Sequence, residues 1–131
     1  MDKKIVNVDR RTLLAGLGAA AFVPMMPAIV RAQSETIRIG FPVPLTGPFG
    51  AEAQDQVRCA QLAVDQVNAG GGIGGRMVEL LVRDDKLNPG EATTRTLELI
   101  EKDKAHFIVG ALAGNVQLAV NEVCRNRGVI Y

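Results

Sequence analysis

Between Asn68 and Arg76 the chain reads NAGGGIGGR, with five glycines in the six positions from 70 to 75. Neither a helix nor a strand persists through such a run, because glycine loses more backbone freedom on ordering than any other residue. Its flanks therefore decide what it does. From Ala51 to Ala69 the residues Val57, Ala60, Val64 and Val67 recur at spacings of three and four, which predicts an amphipathic helix with one apolar stripe. From Met77 to Val82 the run MVELLV predicts a strand, ended by Arg83-Asp84-Asp85. A loop that cradles a phosphate needs the reverse context, a strand before and a helix after, so that the anion meets the helix N-terminus. Here the glycines stop a helix and turn the chain back into a sheet. The run is a joint.

The same alternation extends along the chain. Thr36–Val43 (TIRIGFPV) predicts a first strand, and the prolines of Pro44-Leu45-Thr46-Gly47-Pro48-Phe49-Gly50 cannot continue its ladder. Asn88-Pro89-Gly90-Glu91 predicts a helix start, with Asn88 as cap, Pro89 in the first turn and Glu91 three residues beyond the cap. That helix runs to about Asp103, with Ala92, Thr96, Leu99 and Ile100 inward. His106–Val109 (HFIV) predicts a third strand. Val116, Ala119, Val120, Val123 and Cys124 predict a third helix that Gly128 ends, and Val129-Ile130-Tyr131 opens a fourth strand. The order βαβαβαβ predicts an α/β fold, a parallel sheet with helices on both faces. Apolar runs in the second and third strands agree with burial on both sides.

Residues 1–32 differ in kind. A charged start ends at Arg10-Arg11, and Leu13 to Val30 is uninterrupted by any polar residue. Val30 and Ala32 place small residues three and one before a cut at Ala32/Gln33, the layout of an export signal. Arg10-Arg11 followed by Thr12-Leu13-Leu14 resembles the twin-arginine type, although Asp9 precedes the pair where Ser or Thr is usual. The competing reading is a membrane anchor, which Gly16, Gly18, Pro24 and Pro27 weaken as a continuous helix. We expect a periplasmic protein exported by the twin-arginine or the general machinery, with the signal cleaved after Ala32.

Composition narrows the function further. The chain has a net charge of +1, and the leader holds the basic excess, because residues 33–131 carry ten basic and twelve acidic side chains. With no Trp and one Tyr, there is no nucleic-acid footprint. No serine follows Ser34, so residues 35–131 hold no serine nucleophile, and no Cys/His cluster has metal-ligand spacing. His106 is the only histidine and starts a strand, the end of a parallel sheet that rarely carries chemistry. Asp84-Asp85 is the one adjacent acid pair; neighbouring strand residues point to opposite faces, so the pair reads as loop and helix-entry acids. No cofactor and no enzymatic activity are expected. Two loops at strand C-terminal ends remain, Leu45–Glu52 and Ala111-Leu112-Ala113-Gly114-Asn115, where open α/β sheets bind ligands. The second leads into a helix start, which suits a carboxylate.

The runs IRIGFPVPLTGPFG, QLAVDQVNAGGGIGGRMVELLVRDD and FIVGALAGNVQLAV resemble the leucine/isoleucine/valine-type solute-binding proteins of ABC importers, in order and across nearly all of residues 36–131. The resemblance implies the first lobe of a type I periplasmic binding protein that closes on a small solute and presents it to an inner-membrane ABC permease. It implies strand order 2-1-3-4, with the first helix on one face and the second and third on the other. Cys59 and Cys124 then lie on opposite faces, too far apart for a disulfide. It implies that Ala113-Gly114-Asn115 hold the ligand's carboxylate and that the loop around Phe49 and Glu52 covers it.

The sequence departs from the family pattern in two ways. Gly114 and Asn115 stand where hydroxyl residues are usual, and no aromatic occupies Glu52, although Phe49 is close by. The expected ligand is a small amino acid or a related organic acid or amide. By resemblance the sequence is an N-terminal part of such a protein, cut within the fourth strand. Other classes considered are the ligand-sensing domain of a membrane receptor built on the same lobe and a flavodoxin-like or receiver-type domain. The export signal, and acids after the second strand instead of the first, oppose the latter.

Overall fold

The computed structural model describes residues 35–131. The predicted export signal over residues 1–32 and its cut after Ala32 lie outside the described residues. Six elements follow one another: β1 (Ile37–Val43), α1 (Gly50–Ala69), β2 (Val78–Asp84), α2 (Pro89–Glu101), β3 (Phe107–Ile108) and α3 (Gly114–Arg127). The strands are parallel in the order β2-β1-β3, and Ile130 makes a parallel bridge to Phe107 on the outer side of β3. The start of the fourth strand therefore lies beside the third, in the 2-1-3-4 order that the resemblance implied.

Each face of the sheet has its own core. On one, α1 lays Val64 on Ile37 and Val78, and Ala53 on Phe41 and Val43. On the other, α2 and α3 bury Ala92, Leu99, Val116, Val120 and Cys124 with Ile108. Period-two alternation along β1 divides the two sets. Gly40 stands in the α2-facing set because there is no room for more: a Cβ there would lie 2.6 Å from Ile108 Cδ1 and 3.0 Å from Leu99 Cδ1. Its bare backbone lets Leu99 rest directly on the central strand.

The glycine-rich segment is a stitched joint. Gly71 and Gly72 donate to the carbonyls of Asn68 and Val67 at 3.0 and 2.9 Å, which stops α1. Ile73 and Arg76 then exchange two backbone bonds, of 2.8 and 3.1 Å, around Gly74 and Gly75, whose φ values are +59° and +80°. Two successive positive φ angles suit a tight mirror-image turn. Asn68 closes the joint, accepting from the Val78 amide and donating to its carbonyl, both at 2.8 Å.

Several boundaries differ from the sequence expectation. Val67 is exposed, because Val64 already rests on the first residues of β1 and β2 and one turn later no sheet lies beneath the helix. The stripe of α1 is instead Gly50, Ala53 and Val64, with Val57 and Ala60 half-buried. β2 continues through Arg83 and Asp84, which stay in register with Pro42 and Val43. It is half-buried, not covered on both sides, since it forms an edge of the described sheet. Phe107 and Val109 are exposed as well. α2 ends at Glu101, two residues short of Asp103. Asn88 caps it by accepting from the amides of Gly90 and Glu91, but Glu91 does not complete a capping box and pairs with Arg95 and Lys86 instead.

Cys59 is exposed on α1 and Cys124 is buried on α3, on opposite faces of the sheet. Burial pushes the Cys124 thiol up to about 11. A water-soluble disulfide reagent is expected to label Cys59 in the native chain and to reach Cys124 about a hundredfold more slowly, through unfolding. Mass spectrometry of the labelled peptides checks this; equal rates would place Cys124 at the surface.

Candidate functional site

β1 and β3 are adjacent and parallel, so the segments that leave their C-terminal ends lie at the same end of the sheet. The segment after β3 is held open by backbone conformation. Gly110 has φ +111° and Ala111 φ +59°, two left-handed positions in succession. The ladder to β1 nevertheless continues: Val109 and Ala111 donate to the carbonyls of Gly40 and Pro42, each at 2.9 Å. Two side chains hold the carbonyls of the turn. Gln117 Nε2 donates to Ala111 at 3.0 Å, and the Tyr131 hydroxyl donates to Gly110 at 2.8 Å.

Beyond the turn, Ala113 takes the N-cap position of α3 with extended backbone and no capping side chain, and the first turn of α3 carries no acid. Asn115 Oδ1 accepts from the Val116 amide at 3.0 Å, and the Gln117 amide donates to the Ala113 carbonyl at 2.9 Å. The amides of Gly114 and Asn115 and the Asn115 Nδ2 group thus have no protein acceptor among the described residues. A helix start in this state presents N–H donors and the positive end of the helix dipole. Ala113 is half-buried, whereas Gly114 and Asn115 are exposed.

The other two helix starts are already complemented. Asn88 caps α2, and Glu91 lies in its first turn. Glu52 lies in the first turn of α1, since α1 begins at Gly50 and only Phe49, at its N-cap position, belongs to the preceding loop. The expected loop Leu45–Glu52 is therefore shorter than predicted. Gly50 donates to Gly47 at 3.2 Å and Ala53 to Phe49 at 3.0 Å, so the loop winds directly into the helix. Phe49 and Glu52 are both exposed. Among the described residues no hydrogen bond joins them to Ala113, Gly114 or Asn115.

The acid pair divides between the end of β2 and the turn after it. Asp84 ends β2 and Asp85 is fully buried. Thr46 donates its hydroxyl to Asp84 Oδ2 at 2.7 Å, and the Lys86 amide donates to Oδ1 at 2.9 Å. Partial burial works against ionisation of Asp84, but the Thr46 hydroxyl and the amides of Lys86, Thr46 and Leu45 outweigh it and hold the carboxyl below the usual carboxylate range. Asp84 thereby ties the β1–α1 loop to the end of β2. His106 accepts the Arg38 amide on Nδ1 at 3.1 Å, a structural role at the opposite end of the sheet. Among the described residues no group of three or more His, Cys, Asp or Glu could hold a metal. Sequence reasoning missed Gln117, Tyr131 and Thr46, because a long-range bond to a backbone carbonyl or to a distant carboxylate leaves no periodic trace.

Residues 36–131 match the family described as periplasmic binding protein. The chain belongs to the periplasmic binding protein family. Among its relatives, the Leu/Ile/Val-binding protein BraC3 of Rhizobium johnstonii is 35% identical over 121 residues, covering 92% of this chain and 31% of that protein. The branched-chain amino acid substrate-binding protein LivJ of Streptococcus pneumoniae, solved with isoleucine, superposes with a TM-score of 0.68 at 34% identity, over 72% of this chain and 27% of that one. A solute-binding protein of an ABC transporter from R. palustris, solved with benzoate, gives 0.64 at 28% identity, over 72% of this chain and 26% of that one. The chain spans about a third of the length of the curated relatives it matches. Among the described residues no helix is long and apolar enough to cross a membrane.

Proposed function

We propose that residues 33–131 are the first part of the ligand-binding lobe of a periplasmic solute-binding protein. The protein captures a small amino acid, or a related organic acid or amide, for delivery to an inner-membrane ABC permease. The observation that carries this is the start of α3: alone among the three helix starts of the described residues it has neither a capping side chain nor an acid in its first turn. A carboxylate there would accept from the amides of Gly114 and Asn115 and from Asn115 Nδ2, with Ala113 behind them. Phe49 is exposed at the same end of the sheet and supplies an apolar cover, while Glu52 stands at the start of α1, where it disfavours a second anion. A zwitterionic ligand suits that division of charge.

Binding of this kind shifts a population toward a closed form and breaks no bond. No catalytic step is assigned to this chain. The relatives support the class of ligand, since one neighbour was solved with isoleucine and another with benzoate. Residues 1–32 are the export signal in this reading, with cleavage after Ala32 and passage through the twin-arginine or the general machinery.

Calorimetry with isoleucine and with benzoate, on the protein produced from the complete reading frame of its gene, tests the proposal. We expect one of them to bind and Asn115→Ala to weaken it about tenfold, the loss of one hydrogen bond to a charged group. An unchanged affinity in that variant would remove Asn115 from the site. Failure of both ligands and of a wider set of small carboxylates would remove the function.

A further inference from the structure

Asp85 is 0% exposed, and only one of its carboxyl oxygens has a partner. Oδ1 accepts from the Leu87 amide at 2.8 Å, while Oδ2 is buried with no donor. Its backbone is fully engaged, with the amide on Val43 O at 3.1 Å and the carbonyl accepting from Asn88 at 2.9 Å. The side chain cannot swing out without giving up the Leu87 bond. That turn is strained: Lys86 and Leu87 have φ values of +52° and +57°, and neither is glycine. The two residues are held by the carboxylates two positions earlier, Lys86 by Asp84 and Leu87 by Asp85.

The charged and titratable groups around Asp85 offer no compensation. Its chain neighbour Asp84, the last residue of β2, carries a like charge. In the turn, Lys86 directs its ammonium to Glu91 of α2 at 3.6 Å, and Glu91 is shared with Arg95. Tyr131 from the start of the fourth strand is a neutral donor in the ordinary pH range, with its hydroxyl committed to Gly110. Among the described residues no cation pairs with Asp85. Burial without a cation disfavours the anion relative to the neutral acid at this position.

We propose that Asp85 is a proton switch for the turn from β2 into α2: neutral, it sits in the core on the Leu87 amide; ionised, its second oxygen finds no donor and the turn opens. Opening releases the left-handed Lys86 and Leu87 and disturbs Asp84, through which the Thr46 end of the β1–α1 loop is anchored. Burial, then the charge of Asp84, raise the Asp85 carboxyl above the usual range against the opposing pull of the Leu87 amide. The folded chain thus binds this proton more tightly than the unfolded chain. Stability from Asp85 is complete below the ordinary carboxylate range and is lost as pH rises through its folded value. Asp84, shifted the other way, loses its contribution as pH falls.

The test is a carboxyl-carbon NMR titration of the full-length protein from about pH 3 to about pH 8, following the Leu87 and Thr46 amide signals. Asp85 is expected to titrate above the ordinary carboxylate range, and both amides to shift with the same midpoint. In Asp85→Asn that midpoint disappears from Leu87 and Thr46. Denaturation at each pH gives a second readout, in which the wild type loses stability relative to the variant with a slope approaching about one proton. Should Asp85→Asn fail to fold, the wild-type titration decides alone. An Asp85 carboxyl titrating at or below the ordinary range, or a Leu87 amide indifferent to it, overturns the proposal.

Discussion

Gly110→Ala is expected to destabilise the fold by about 3–5 kcal/mol and to abolish ligand capture at the start of α3. Two independent costs add. The backbone at Gly110 has φ +111°, outside what a side chain tolerates without strain. A Cβ would also run into the ring of Phe41, which is buried under α1 and cannot step aside, and would come within 3.0 Å of the Pro42 carbonyl. Relief by rotating the peptide would break the Ala111 bond to Pro42 and the Tyr131 bond to Gly110, and these aim the helix start. Urea denaturation checks the first effect as a fall in midpoint at constant slope, and calorimetry with isoleucine or benzoate checks the second. A variant with wild-type midpoint would show that Gly110 is not held against Phe41.

The second large effect belongs to the joint. Gly72→Ala is expected to cost about 3 kcal/mol, because φ is +77° and a Cβ would overlap the Arg76 carbonyl, a backbone atom with no freedom to yield. The displaced segment would pull Ile73 and Arg76 apart and loosen the entry to β2, which Arg76 also supports through its 2.6 Å bond to the Glu35 carbonyl. Gly74→Ala is the control. Its φ of +59° is left-handed but no atom lies within 4 Å of the added carbon, so strain alone applies, about 1 kcal/mol. Equal costs at the two positions, measured by denaturant midpoint, would mean that the close approach at Gly72 is not present in solution.

These two glycines mark how far the sequence can be read. That NAGGGIGGR joins a helix to a strand follows from its flanks, and the structure places all five glycines between α1 and β2. Which glycine is indispensable does not follow, since it depends on where the Arg76 carbonyl returns. Gly110, by contrast, looks in the sequence like any small residue after a strand. Its necessity comes from Phe41, sixty-nine residues earlier in the chain. The start of α3 was legible as a candidate because small residues and Asn115 precede an apolar period. The acid pair reads in the sequence as loop and helix-entry acids, which describes Asp85 in the turn. That Asp84 belongs to β2 and that Asp85 is buried were not legible, because alternation along an ideal strand says nothing about what covers a face.

Local chemistry thus fixed the order of elements: apolar period gives helix or strand, and proline, glycine and asparagine set their ends. It also favoured the parallel arrangement, because parallel strands need a crossover connection and this chain supplies a helix between each successive pair. Tertiary structure alone decided that Asp85 is entombed while Asp84 holds Thr46. It alone decided that Val67 hangs beyond the sheet, and that Gln117 and Tyr131 hold the turn before α3. Each of these rests on atoms far apart in the chain meeting at a few ångströms, and residue spacing carries no record of such meetings.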